Sequence, residues 1–201
     1  MIRITFYKIF VGVVLCCIAS NSNGQSNDSP PVQKQHKFVF YGGFGPNYYF
    51  NNLVVAKKKV NEFSYSFVGK LMWEPENNLS LGIESGYNRL YSVDAELGIY
   101  TGTINIVNVA IPLQLVACMK FLENYYCSFS FGRAILLNKV STSDFGKFDA
   151  SSLSLGDYTL SVGYKRPINN RFLLGAELKG YYSGKLEDKN IALVFMGGVR
   201  F

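Results

Sequence analysis

The chain has 201 residues, one domain's worth, with 20 Lys and Arg against 14 Asp and Glu and a formal net charge of +6. That mild surplus does not select nucleic acid as a partner. One histidine and four cysteines leave little material for a metal centre or a histidine-based catalyst.

The first segment, MIRITFYKIFVGVVLCCIASNSNGQ, sets Arg3 and Lys8 before an apolar run from Ile9 to Ala19, then small and polar residues. This is the layout of a secretory signal peptide over 1–24, with cleavage expected before Gln25 because Ser22 and Gly24 are small. The run is too short for a transmembrane helix, which needs ~20 residues. Neither Cys16 nor Cys17 follows the small residue that lipid attachment wants, so simple cleavage is expected. Losing Arg3 and Lys8 takes the charge from +6 to +4. Residues 25–36 are polar and carry Pro30 and Pro31, the composition of a flexible lead-in on the periplasmic side. His36 lies there with no Cys, His or carboxylate cluster beside it, so no metal or cofactor is expected.

From residue 37 onward no helix-length window places apolar residues at i, i+3, i+4 and i+7; period two recurs instead. Strands are expected near 37–50, 62–74, 79–91, 104–118, 124–138, 152–166, 171–184 and 191–201. Each is long enough to cross a bilayer at a tilt, which takes ~9–11 residues. Tight turns at 74–78, 122–124 and 167–170 alternate with the longer segments NNLVVAKKKVN, SVDAELGIYTGT, KVSTSDFGKFDA and KLEDKN. Short turns on one side and longer loops on the other are the pattern of outer-membrane barrels.

The faces separate this reading from a soluble barrel. In the fourth strand Val107, Val109, Ile111, Leu113 and Leu115 oppose Asn108, Ala110, Pro112 and Gln114. In the sixth, Tyr158, Leu160, Val162 and Tyr164 oppose Asp157, Thr159, Ser161, Gly163 and Lys165. The polar face is built of small residues rather than the Lys and Glu of a solvated surface. Small residues fit the cramped lumen of eight strands, so the large aliphatic face points outward, where lipid accepts it. A lipocalin-like barrel, apolar inside, is the reverse assignment. Aromatic residues gather near both strand ends, Tyr48, Tyr49, Phe50, Phe63, Tyr65, Tyr91, Tyr181 and Tyr182 at one and Trp73, Tyr125, Tyr126, Tyr164, Phe172 and Phe201 at the other. Two such belts suit headgroup level.

The final stretch, IALVFMGGVRF, is then the closing strand, paired with the first so that no edge faces lipid. Ending on Phe201, it resembles the assembly signal that outer-membrane barrels present to the barrel-assembly machinery. NVAIPLQLVACMKF, NYYCSFSFGRAILLNK and RFLLGAELKGYYSGKL, with Ile111-Pro112-Leu113 their most specific piece, resemble consecutive strands of the PorT-like, OmpA-like outer-membrane β-barrel proteins of Bacteroidetes. The resemblance covers 37–201. It implies an outer-membrane barrel of a Gram-negative cell with both termini periplasmic, and a link to envelope or secretion machinery. Arg133 departs from the pattern by falling on the apolar parity; a bulge near Gly132 would turn it inward.

The inward parity collects Lys70, Glu74, Glu84, Asp157, Lys165, Glu177, Lys179 and Arg200. They read either as a polar pore lining or as ion pairs that plug the lumen. Unpaired charge in a confined space is costly, and Lys70 with Glu84 and Glu177 with Arg200 are the expected pairs, on adjacent strands. Lys57, Lys58 and Lys59, in the first long loop, are candidates for contact with lipopolysaccharide phosphates, or a solvated loop tip. Cys118 and Cys127 fall on opposite faces, so a disulfide between them would need a bulge. No nucleophile–base set, phosphate loop or metal spacing occurs. The expectation is an eight-stranded antiparallel transmembrane β-barrel behind a cleaved signal peptide. It would act as a non-enzymatic membrane anchor or interaction protein, with a small-solute porin as the alternative.

Overall fold

A computed structural model of the protein describes residues 37–50, 60–75, 78–96, 103–142 and 146–201. The expected signal peptide, the lead-in and Lys57, Lys58 and Lys59 lie outside these residues. Nine strands follow in order: β1 Lys37–Phe50, β2 Val60–Asn61, β3 Phe63–Glu74, β4 Leu79–Glu96, β5 Thr103–Lys120, β6 Tyr125–Thr142, β7 Gly146–Pro167, β8 Phe172–Tyr182 and β9 Lys189–Arg200. All neighbours are antiparallel, and β1 pairs with both β3 and β9, so the sheet closes. The ninth strand beyond the expected eight is β2, two residues that pair with Ser92 and Val93 of β4.

Register fixes the shape of the ring. The partners run from Phe40 to Leu71, Ile83, Leu115, Phe131, Tyr158, Tyr182, Lys189 and back to β1 at Phe50. One circuit therefore climbs ten residues, from 40 to 50, a shear that tilts eight staves by ~40° and leaves an interior just wide enough for side chains to fill.

Four strands outgrow the ring. β3 meets β4 only as far as Ser66 and Asn88, and β8 meets β7 only from Tyr158 and Tyr182. Beyond those points β4, β5, β6 and β7 continue pairing to Glu96–Thr103, Ile104–Thr142 and Thr142–Gly146. A four-stranded sheet thus stands above one side of the barrel. Bulges mark the rim on both sides of it: Leu90 is the extra residue between Arg89 and Tyr91 of β4. On β7 it is Gly156, whose φ of 78° favours glycine. The expected bulge near Gly132 is therefore on the neighbouring strand, and Arg133 stays outward and exposed.

Alternation holds around the ring. The outward face keeps Phe44, Phe63, Leu113, Leu115, Phe131, Leu174, Leu178 and Phe195 exposed, Leu115 at 71%. Inward positions are buried. Tyr49, Tyr126 and Tyr181, expected in the aromatic belts, are buried inside, and Tyr91 packs partly buried against the cluster of Tyr49 and Tyr181; Tyr48, Tyr65, Tyr125, Tyr158 and Tyr164 remain outside. Cys118 is buried inward, Cys127 lies on the outward parity, and no disulfide joins them.

Candidate functional site

The interior is layered along the barrel axis. Nearest the short turns, Lys165 of β7 binds Glu74 of β3 at 2.9 Å and donates to the Tyr41 hydroxyl at 3.2 Å. Its Nζ stands 5.4 Å from the ring centroids of both Tyr41 and Tyr126. A mixed aliphatic layer of Val39, Val68, Met72, Val116, Leu173 and Met196 surrounds this group. The cavity between Tyr41, Lys70, Cys118, Tyr126 and Lys165 has a volume of about 20 Å³, room for one water.

Above it lies the principal charge cluster. Lys70 of β3 binds both oxygens of Glu177 on β8, at 2.7 and 2.8 Å, and Glu84 on β4 at 3.1 Å. Lys179, two residues along β8, pairs with the other oxygen of Glu84. Ser161 and Ser128 also donate to Glu177 Oε1, Ser128 at 3.3 Å. Two cations and two carboxylates thus neutralise one another, with additional donors on the most deeply buried carboxylate, the condition under which a buried ion pair is tolerated. Glu84 and Lys179 belong to staves on opposite sides of the ring, so their contact crosses the lumen.

Glu177 does not meet Arg200. Register sets Val194 opposite Glu177, and Arg200 lies six residues further along β9, at the short-turn end. There its backbone N–H donates to the Arg171 carbonyl at 2.8 Å, while its buried Nε has no acceptor. Phe201 beside it is 77% exposed and donates its N–H to the Phe38 carbonyl at 2.9 Å.

A second closure lies towards the long loops. Tyr49, Leu90, Ala110, Ala134, Leu136 and Tyr181 pack into one buried cluster, with the Tyr91 ring 5.0 Å from that of Tyr49. Their polar ends are held: Tyr49 donates to Asp188 at 2.6 Å and Tyr181 to Asp157 at 2.9 Å. Asp157 also accepts from Ser154 and the Gly184 amide, which ties the β8–β9 connection down on the rim. Parity could place Tyr49 and Tyr181 inside, but their position at strand ends resembles a girdle. Leu90 turns inward only because of its bulge. The arrangement is that of a double stopper, one ionic and one apolar.

Neither a family model nor any curated protein matches the chain. Among solved structures it is similar to the attachment invasion locus protein Ail of Yersinia pestis, with a TM-score of 0.53 at 12% identity, covering 83% of this chain and 99% of that one. The N-terminal β-barrel domain of Pseudomonas aeruginosa OprF aligns at a TM-score of 0.46 and 16% identity, covering 83% and 100%. Neisserial surface protein A aligns at 0.46 and 12%, covering 82% and 97%. The likeness to Ail is one of fold: an antiparallel up-and-down β-barrel of the outer-membrane type.

Proposed function

We propose that this chain is an integral outer-membrane protein of a Gram-negative bacterium, with its short turns and both termini periplasmic. It serves as a closed, non-enzymatic anchor that holds a four-stranded sheet above the membrane as an interaction surface. The observation that carries this reading is the interior, blocked at two levels beneath a sheet that outgrows the ring. An outward face of exposed Phe and Leu needs hydrocarbon around it, and a closed ring leaves no backbone edge for lipid to meet. The resemblance to PorT-like barrels supports a place beside envelope or secretion machinery. The terminal aromatic Phe201 is suited to recognition by the barrel-assembly machinery.

The test is single-channel recording from the purified protein in planar bilayers, with its heat-dependent gel mobility followed in parallel. A heat-shifting band that passes no steady current is the expected result. Steady conductance from the unmodified protein would replace the anchor by a small-solute porin, and a soluble protein without a heat shift would exclude both.

A further inference from the structure

Two arginines interrupt the apolar outer wall. Arg89 of β4 and Arg133 of β6 are on the outward parity with β5 between them, Val109 opposite the first and Leu113 opposite the second. Arg133 stands eight residues along β6 from Tyr125, and Arg89 ten along β4 from Leu79. At ~3.3 Å per residue and ~40° of tilt they rise about 20 and about 25 Å above the short-turn end of a band about 25 Å tall. Both therefore stand at the level of the upper aromatic girdle.

Rings mark this level on β1, β3, β4, β7 and β8. Tyr48 contacts Phe63 at 5.1 Å between centroids, Tyr65 contacts Tyr87 at 6.1 Å, and Tyr158 contacts Tyr182 at 4.7 Å. Between Tyr87 and Tyr158 the outward ring is Phe131 of β6, the register partner of Tyr158 and two residues below Arg133. β5 offers Val109 and Ile111, and the arginines stand on either side of them.

Neither guanidinium has a carboxylate partner among the described residues. The four salt bridges among the described residues all lie in the lumen. Arg89 Nε is buried with no acceptor, and Arg133 stands exposed between Leu113 and Leu155. A guanidinium does not shed its proton, so an anion must answer it, and at this height the anion available is a lipid headgroup.

We propose that Arg89 and Arg133 clamp the phosphates of an acylated, phosphorylated glycolipid in the long-loop leaflet, whose chains lie along Ile111, Leu113 and Leu115. This rests on the proposed outer-membrane orientation. The vertical order matches such a lipid: cations at headgroup level, an apolar strip directly beneath. Two strand spacings and four residues of stagger put the arginine Cα atoms roughly 16 Å apart, a span suited to a headgroup with two phosphates. Each guanidinium can take a phosphate through paired N–H donors.

Native mass spectrometry of the full-length protein from detergent tests this, with bis-phosphorylated lipid A, its dephosphorylated form and phosphatidylcholine as probes. The expected result is about tenfold preference for the bis-phosphorylated lipid, lost in the double variant Arg89→Gln, Arg133→Gln and largely kept in Arg89→Lys, Arg133→Lys. Equal retention of the dephosphorylated lipid by the unmodified protein would overturn the clamp, whether or not the variants fold. So would a lipid-free dimer abolished by the glutamine variant, which would mean that a second copy covers the arginines. A closed, heat-shifting barrel without lipid preference sinks this inference alone; no heat shift sinks the barrel reading with it.

Discussion

A Cβ on Gly163 would stand 2.5 Å from the Cζ and hydroxyl oxygen of Tyr126, its register partner on β6. The phenol fills the space the glycine leaves, and Tyr41 uses Gly198 of β9 the same way, at 2.7 Å. Glycines covered by an inward ring from the next stave are a device for closing small barrels. Gly163→Val should lower the urea midpoint of refolded protein by the equivalent of about 1–3 kcal/mol. Adding Tyr126→Ala should recover part of that loss, since the two residues contend for one volume. Strictly additive effects would show that the ring does not lie there.

Lys70 and Arg200 should respond very differently to truncation. Lys70→Ala strands Glu177 in the lumen and leaves Glu84 to Lys179 alone, a loss of about 3–5 kcal/mol. Arg200→Ala removes no carboxylate partner and should cost less than about 1 kcal/mol. Urea titration followed by tryptophan fluorescence of Trp73 measures both. Equal losses would mean that Arg200 has a role the geometry does not give it.

Opening the barrel should require both stoppers to be removed. Variants in the ionic layer (Lys70→Ala with Glu177→Ala) keep the Tyr49 and Tyr181 cluster, and Tyr49→Ala with Tyr181→Ala keeps the ion pairs. Planar-bilayer recording should find each double variant closed and the quadruple variant conducting. Current through either double variant would show one layer to be dispensable.

Asp188 should give stability a small dependence on pH. Burial in the β8–β9 connection pushes its carboxyl above the ordinary range, and the hydrogen bond from Tyr49 pulls it part of the way back. The folded state then holds the proton more tightly than the unfolded one. This contribution is complete below pH ~4 and is lost as pH rises through the raised value. Asp188→Asn still accepts from Tyr49 and stays neutral, so its urea midpoint should change less than the unmodified protein's between pH 4 and 7. A larger change in the variant would contradict the raised carboxyl.

Alternation was legible wherever the two faces of a strand meet different media. Leu113 against Gln114, or Leu178 against Lys179, declares inside and outside before any fold is known. Past the rim the two faces no longer meet different media, Ser92 and Val93 both buried and Phe148 and Asp149 both exposed, so SVDAELGIYTGT and KVSTSDFGKFDA read as loops although β4, β5, β6 and β7 extend into them. Parity also says which residues share the lumen without saying which meet across it. That depends on the shear, which delivers Lys70, not Arg200, to Glu177. The displaced bulge has a similar cause: Gly156 and Gly132 are both glycines beside Arg133, and only the register of β6 with β7 distinguishes them.

The ionic layer also bears on how such a chain could assemble. Lys70 and Glu84 face each other within the β3–β4 hairpin, while Glu177 and Lys179 sit two apart on β8. Each early or late portion therefore carries its own compensating cation and anion. In this layer no partly built sheet need present a net charge to an apolar surrounding, and ring closure there exchanges neighbours among charges already balanced. The Lys165–Glu74 pair nearer the short turns, split between β7 and β3, is the one that waits on closure.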